Sequence, residues 1–78
     1  MIEKQMVYLL MNDIWYDTSI CLGVYSSPEK ARDKLDEQSM SSYKRQSLSD
    51  WEIAEGFIDL WHSQKEHQSL YIKSYMVQ

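Results

Sequence analysis

The sequence predicts a single α+β domain spanning residues 1–78, in which a three-stranded, mainly antiparallel sheet carries two helices packed on one face. Three observations predict this class: a strand-favouring apolar run at residues 6–11, a helix-start sequence at residues 26–29, and an alternating pattern at residues 70–77. The predicted order of elements is β-β-α-α-β. An apolar content of 44% allows a chain of this length to bury a core.

The first half of the chain predicts two strands and a helix. The apolar run at residues 6–11 ends in the turn-favouring pair Asn12 and Asp13, and a second strand is predicted at residues 19–25. Ser27 is a suitable helix cap, and the proline that follows it suits the first helical position. We expect this helix to run to about residue 38 or 39.

The second half predicts a longer helix at about residues 50–65. Ser49 and Glu52 have the spacing of a capping box. The apolar residues of the segment fall on one half of a helical wheel: Ile53, Ala54, Phe57, Ile58, Leu60 and Trp61. A strand is the alternative, because some of these residues share one parity, but the others occupy the opposite parity.

The closing segment, residues 70–77, alternates between two kinds of side chain and therefore predicts a strand with two distinct faces. If its aliphatic residues face the helices, its tyrosines and lysine point outward. We predict a protein-binding aromatic sheet face formed by Tyr8, Tyr25, Tyr71, Lys73 and Tyr75. The alternatives are the half-exposed side of a small sheet and a base-stacking platform for single-stranded nucleic acid. Such a platform needs more basic residues than this face provides.

Charge gives a second candidate surface. Glu52, Glu55 and Asp59 have the spacing of an acidic ridge on the second helix, which we predict as a protein-binding site, with a solvated helix face as the alternative. The net charge of −4 disfavours nucleic acid as a partner, because affinity for phosphates depends largely on Lys and Arg.

The sequence contains no pattern typical of a catalytic or metal site. Cys21 is the only cysteine, so an internal disulfide is excluded, and the two glycines cannot form a phosphate-binding loop. His62 and His67 are five residues apart, whereas helical metal pairs prefer a spacing of three or four. We therefore predict a non-enzymatic protein with no cofactor and no metal. Without a signal peptide or a membrane-length apolar segment, we expect a cytoplasmic location and no membrane partner.

Three further segments follow one another in the first half of the chain: "VYLL" at residues 7–10, "LGVYSS" at residues 22–27 and "EKA" at residues 29–31. They resemble a group of small uncharacterised bacterial and phage proteins in which a "VYLL" strand precedes an "IGVYSS" strand and a helix starting "EKA"; residues 71–75 are similar to the closing strand of that group. The resemblance implies a strand-strand-helix fold and a phage or mobile-element origin, and it supplies no catalytic residues.

This resemblance leads to a functional hypothesis. We expect a protein that binds and modulates a host protein or complex, and the most specific form of the hypothesis is an inhibitor of a bacterial defence system such as CRISPR. The alternative is a self-associating accessory protein that uses the tyrosine face as a homodimer interface.

Overall fold

The computed structural model describes residues 5–15, 18–35 and 40–77. They form one five-stranded antiparallel sheet with the strand order β2-β1-β5-β4-β3. The strands and helices, in chain order, are β1 (Gln5–Ile14), β2 (Ser19–Tyr25), α1 (Pro28–Asp33), β3 (Lys44–Arg45), α2 (Asp50–Glu55), β4 (Phe57–Ser63) and β5 (Gln68–Val77). The α+β class and the antiparallel sheet are confirmed. The three-stranded sheet and the β-β-α-α-β order are wrong, because β3 and β4 were not predicted.

The predicted start of α1 is confirmed. The Ser27 side chain accepts a hydrogen bond from the Lys30 backbone amide at 3.2 Å, and a proline occupies the first turn. The helix ends at Asp33, earlier than predicted, and Lys34 is its C-cap residue. Residues 38 and 39, where the helix was expected to end, lie outside the described residues.

The predicted helix at residues 50–65 is wrong beyond its first six residues. The capping box is present, and the Ser49 amide donates a hydrogen bond to Glu52 Oε1 at 3.0 Å. However, α2 stops at Gly56, whose φ of 103° is left-handed and favours glycine. The Gly56 carbonyl then accepts hydrogen bonds from the amide and hydroxyl of Ser74 at 2.9 and 3.0 Å. The chain therefore leaves the helix and enters the sheet as β4.

The core lies between α1 and the sheet. It contains Leu10, Ala31 and Ile72, all at most 2% exposed. Helix α1 contacts β1 and β2, whereas α2 contacts β4. The Trp51 ring of α2 packs against Phe57, whose side chain lies on the side of the sheet away from the core. The prediction that both helices pack on one face is therefore wrong.

A buried carboxylate joins α1 and β3 to β4. The Asp59 side chain is fully buried and accepts a hydrogen bond from Arg32 Nε at 2.6 Å and another from Arg45 Nη2. Both arginine side chains remain partly exposed. Two charge-assisted hydrogen bonds to one carboxylate compensate for its removal from water.

A β-bulge in β2 changes which of its side chains face the core. Leu10 is opposite Gly23 and Met11 is opposite Cys21, so Leu22 is the extra residue. The alternation of faces is reset at this point. Tyr25 pairs with Tyr8 on the side covered by α1, and Val24 points to the opposite side. The sequence pattern, read without a bulge, predicts the reverse for these two β2 residues.

Candidate functional site

The side of the sheet opposite α1, which we call the open face, is ordered into rows that run across the strands. Residues that pair across antiparallel strands share a face, so the rows follow from the register. One row contains Val24, Leu9, Lys73 and Phe57. The next contains Cys21, Met11, Tyr71 and Leu60. The third is polar and contains Ser19, Asp13, Ser69, His62 and Lys44. The open face therefore changes from apolar to polar along the strands.

The apolar end carries what we call the aromatic surface, formed by Trp51, Phe57, Tyr71, Lys73 and Tyr75. The Phe57 ring lies 5.1 Å from the Tyr71 ring and 6.3 Å from the Trp51 ring, measured between centroids. The Lys73 ammonium lies 5.2 Å from the centroid of Phe57 and 5.2 Å from that of Tyr75. These cation–π contacts hold the charge at a defined place among the rings.

Part of the predicted aromatic face is assembled and part is not. Tyr71, Lys73 and Tyr75 lie together on the open face. Tyr8 and Tyr25 lie under α1 against the core, so their predicted outward placement is wrong. The bulge explains Tyr25. For Tyr8 the pattern was ambiguous, because both parities of β1 are apolar.

Sequence reasoning missed two members of this surface. Phe57 was assigned to the inner side of a helix, and Trp51 was given no role on the sheet. The feature that identifies them is Gly56: a glycine at this point ends α2 and places the next residue on a strand. Trp51 is 65% exposed, an unusual state for so large an apolar ring.

The predicted acidic ridge is wrong, because its three carboxylates do not share a helix. Glu52 and Glu55 belong to α2, but Asp59 is buried in β4 between two arginines. Hydrogen bonds from the Ser49 backbone and side chain lower the pKa of Glu52. That carboxylate is thus engaged as part of the helix cap.

The aromatic surface has one charged group. Burial raises the pKa of the Tyr71 phenol, against a smaller lowering by Ser19, so the phenol is neutral near pH 7. Lys73 is the only lysine, arginine, aspartate or glutamate in the two apolar rows. A partner of this surface therefore meets apolar groups around a single fixed cation.

The outer edge of the sheet at β2 adjoins the same face. Ile20, Leu22 and Val24 are 43%, 49% and 59% exposed. Strand β2 contains no charged residue, and among the described residues no strand pairs with its outer edge. Unpaired amides and carbonyls on such a strand are available to another chain.

Comparisons of the chain with protein-family models, curated proteins and solved structures gave no match. The resemblance to small phage and bacterial proteins therefore stays a prediction. In the described residues, no helix has the length and apolar character needed to cross a bilayer.

Proposed function

We propose that this domain binds a partner protein through the apolar end of its open face, and that the partner presents apolar side chains around one carboxylate that pairs with Lys73. The proposal depends on one observation: a continuous apolar row reaches from the exposed Val24 at the sheet edge to Phe57, with Lys73 as its only charge.

The exposed rings favour binding over simple solvation. Trp51 and Tyr75 are 65% and 43% exposed, and they flank rings that are already in contact with one another. Aromatic residues with few rotatable bonds carry much of the binding energy at protein interfaces. A contiguous exposed patch of this kind is typical of an interaction site.

The charge of Lys73 selects the type of partner. A cation enclosed by an interface is costly unless an opposite charge meets it. Two copies of the chain packed face to face about an axis near Lys73 would bring two ammonium groups together, which is unfavourable. A different protein that supplies a carboxylate avoids this repulsion.

The nature of the partner remains a proposal as well. The functional hypothesis from sequence, a host protein or complex and specifically a bacterial defence effector such as CRISPR, fits a domain that works by binding. The identity of the captured protein will test it directly.

A photo-crosslinking amino acid in place of Tyr75 tests the surface. The matched control carries the same group in place of Glu29, which is exposed on α1. We expect one cellular protein to be crosslinked from position 75 and not from position 29. We also expect the purified partner to bind Lys73→Glu at least about tenfold more weakly, since a favourable ion pair becomes a repulsion. Equal capture from both positions, or unchanged affinity of Lys73→Glu, would overturn the proposal.

A second candidate function is self-association, which the uncharged edge of β2 favours. Two copies of β2 paired antiparallel about a two-fold axis would hydrogen-bond the unpaired amides and carbonyls at the free edge of each chain. Dimers with two-fold symmetry are also the commonest oligomers. Lys73 lies on β5, two strands away from β2, so in this dimer the two Lys73 ammonium groups stay far apart.

Light scattering over a concentration series tests self-association. If β2 forms the interface, Leu22→Lys will be monomeric at concentrations where the unmodified chain is a dimer. Met76→Lys is the control, because Met76 is 56% exposed but lies on β5. A chain that is monomeric throughout, or a dimer that Leu22→Lys leaves intact, excludes this candidate.

A further inference from the structure

The polar end of the open face forms a pocket of about 500 Å³. It lies where β3, the turn between β4 and β5 and the end of β1 meet. Its walls include Trp15, Ser42, Lys44, His62, Gln64 and Lys65. A pocket of this volume is within the range of small-molecule sites. It lies at the other end of the open face from Phe57 and Lys73, and it shares no lining residue with the aromatic surface.

We propose that this pocket binds a small organic phosphate that carries a planar ring, such as a mononucleotide. The phosphate lies between the two lysines, and the ring lies beside Trp15. Three features of the pocket support this assignment: its charge, the orientation of its histidine and the way its tryptophan is held.

The charge of the pocket is opposite to that of the chain. Lys44 and Lys65 are exposed and form no ion pair with any described residue, and the pocket is lined by no described carboxylate. The carboxylates of Asp13 and Glu52 are engaged with Ser19 and Ser49, and that of Glu66, which follows Lys65 in the turn, lies outside the pocket lining. In a chain of net charge −4, two lysines at one pocket that have no ion-pair partner among the described residues favour an anionic ligand.

A buried serine orients the histidine. Ser69 is 5% exposed, and its Oγ accepts a hydrogen bond from Trp15 Nε1 at 3.0 Å and lies 2.6 Å from His62 Nδ1. A hydroxyl can accept one hydrogen bond and donate another, so Ser69 Oγ accepts from the indole N–H while its own hydrogen is available to His62 Nδ1. The contact holds Nδ1 toward Ser69, so Nε2 is the His62 nitrogen left for a ligand of the pocket, and in its N–H form it donates to a phosphate oxygen.

Trp15 is held from two sides. Its ring makes edge contacts with His62 at 6.4 Å and with His67 at 5.6 Å, and its backbone amide donates to the His67 carbonyl at 3.0 Å. His67 has a φ of 54°, a conformation that non-glycine residues seldom adopt and that costs free energy. The tryptophan is therefore a fixed aromatic wall, suitable for contact with a planar ring.

Titration of the intact chain with three probes, followed by NMR, tests the ligand class. The probes are adenosine monophosphate, adenosine and inorganic phosphate. We expect the Trp15 indole and the residue 62–66 amides to shift with the nucleotide, with affinity at least about tenfold higher than for either fragment, because each fragment makes only part of the contacts. Equal affinity for phosphate and nucleotide would overturn the planar-ring assignment. Equal affinity for adenosine and nucleotide, or no saturable shift, would overturn the phosphate site.

Variants test the residues. Lys44→Met with Lys65→Met should lower nucleotide affinity about tenfold or more and weaken its dependence on salt, since both charges are removed. Lys34→Met is the single-charge control, because Lys34 is exposed at the end of α1. The nucleotide affinity of this control variant should stay within about twofold of that of the unmodified chain. Thermal unfolding checks that each variant is folded. Equal losses in the pocket variant and the control would show a general charge effect and contradict the site. Crosslinking from position 75 reports on the aromatic surface separately.

Discussion

The two outer strands of the sheet differ in length, charge and support. Strand β3 has two residues, Lys44 and Arg45, and Arg45 is tied to the buried Asp59. Strand β2 has seven residues, none of them charged, and three of its apolar side chains are 43–59% exposed. Short length and charge are standard ways in which proteins prevent an edge strand from pairing with another chain. The β3 edge uses both, and β2 uses neither.

This contrast indicates where the molecule is built for stability and where it is open to association. The one protective feature of β2 is the bulge at Leu22, and it also turns Val24 toward the open face. The exposed edge of β2 is thus continuous with the apolar row that leads to Phe57. The β3 edge instead adjoins the polar pocket.

The largest expected effect tests the support of the β3 edge. Arg32→Met combined with Arg45→Met leaves the fully buried Asp59 carboxylate without a cationic partner. We expect the free energy of unfolding to fall by about 3–5 kcal/mol, because a buried charge is left uncompensated. Urea denaturation measures this. Adding Asp59→Asn to the double variant should recover part of the loss, and a double variant as stable as the unmodified chain would show that the ion pairs do not support this edge.

A smaller loss of stability is expected at Gly56, which lies between α2 and β4. Gly56→Ala places a side chain at a φ of 103° and a Cβ atom 3.0 Å from the Ser74 carbonyl oxygen. We expect a loss of about 1–2 kcal/mol from the conformational penalty, measured by urea denaturation. Ala54→Gly is a useful comparison, since it changes an exposed helical position in the opposite direction. An unchanged free energy of unfolding in Gly56→Ala would show that the left-handed conformation at residue 56 does not contribute to the stability of the fold.

The sequence was sufficient for features that depend on neighbouring residues. The cap at Ser27, the capping box of Ser49 and the alternation of residues 70–77 are local, and each is present in the structure. Tyr71, Lys73 and Tyr75 share the face opposite α1 for the same reason. Alternation along one unbroken strand assigns each side chain to a face.

The features that failed depend on one residue interrupting a pattern. Gly56 divides a segment whose apolar residues fit a helical wheel, and the second part becomes β4 because Ser74 hydrogen-bonds the glycine carbonyl. Leu22 interrupts the alternation of β2, and the position of a bulge is not readable from this sequence. The pocket combines Trp15, which follows β1, with Lys44 of β3 and His62 of β4, so it could not be predicted before the strand order was known.

A substitution on the free edge should affect stability far less. Val24→Lys introduces a charge at a position that is 59% exposed, and we expect the free energy of unfolding to change by less than about 0.5 kcal/mol. Tyr25→Lys is the comparison, because the Tyr25 side chain packs against the core. This variant should be clearly less stable, since it places a charged group in apolar surroundings. If the two variants lose similar stability, the assignment of faces across the bulge is incorrect.

The smallest expected effect is a change in the pKa of Glu52 in α2, the helix that precedes β4. Hydrogen bonds from the Ser49 amide and hydroxyl lower the pKa of Glu52, so the ionised carboxylate stabilises the folded state above its unfolded pKa. This stabilisation is lost as the pH falls through the lower, folded pKa. In Ser49→Ala the amide remains and the hydroxyl is removed, so the pKa should rise toward its ordinary value and stay below it. Carbon-detected NMR titration of the Glu52 carboxyl measures this shift. Ser47→Ala is the control, and an equal pKa in all three proteins would show that the capping box does not hold the charge.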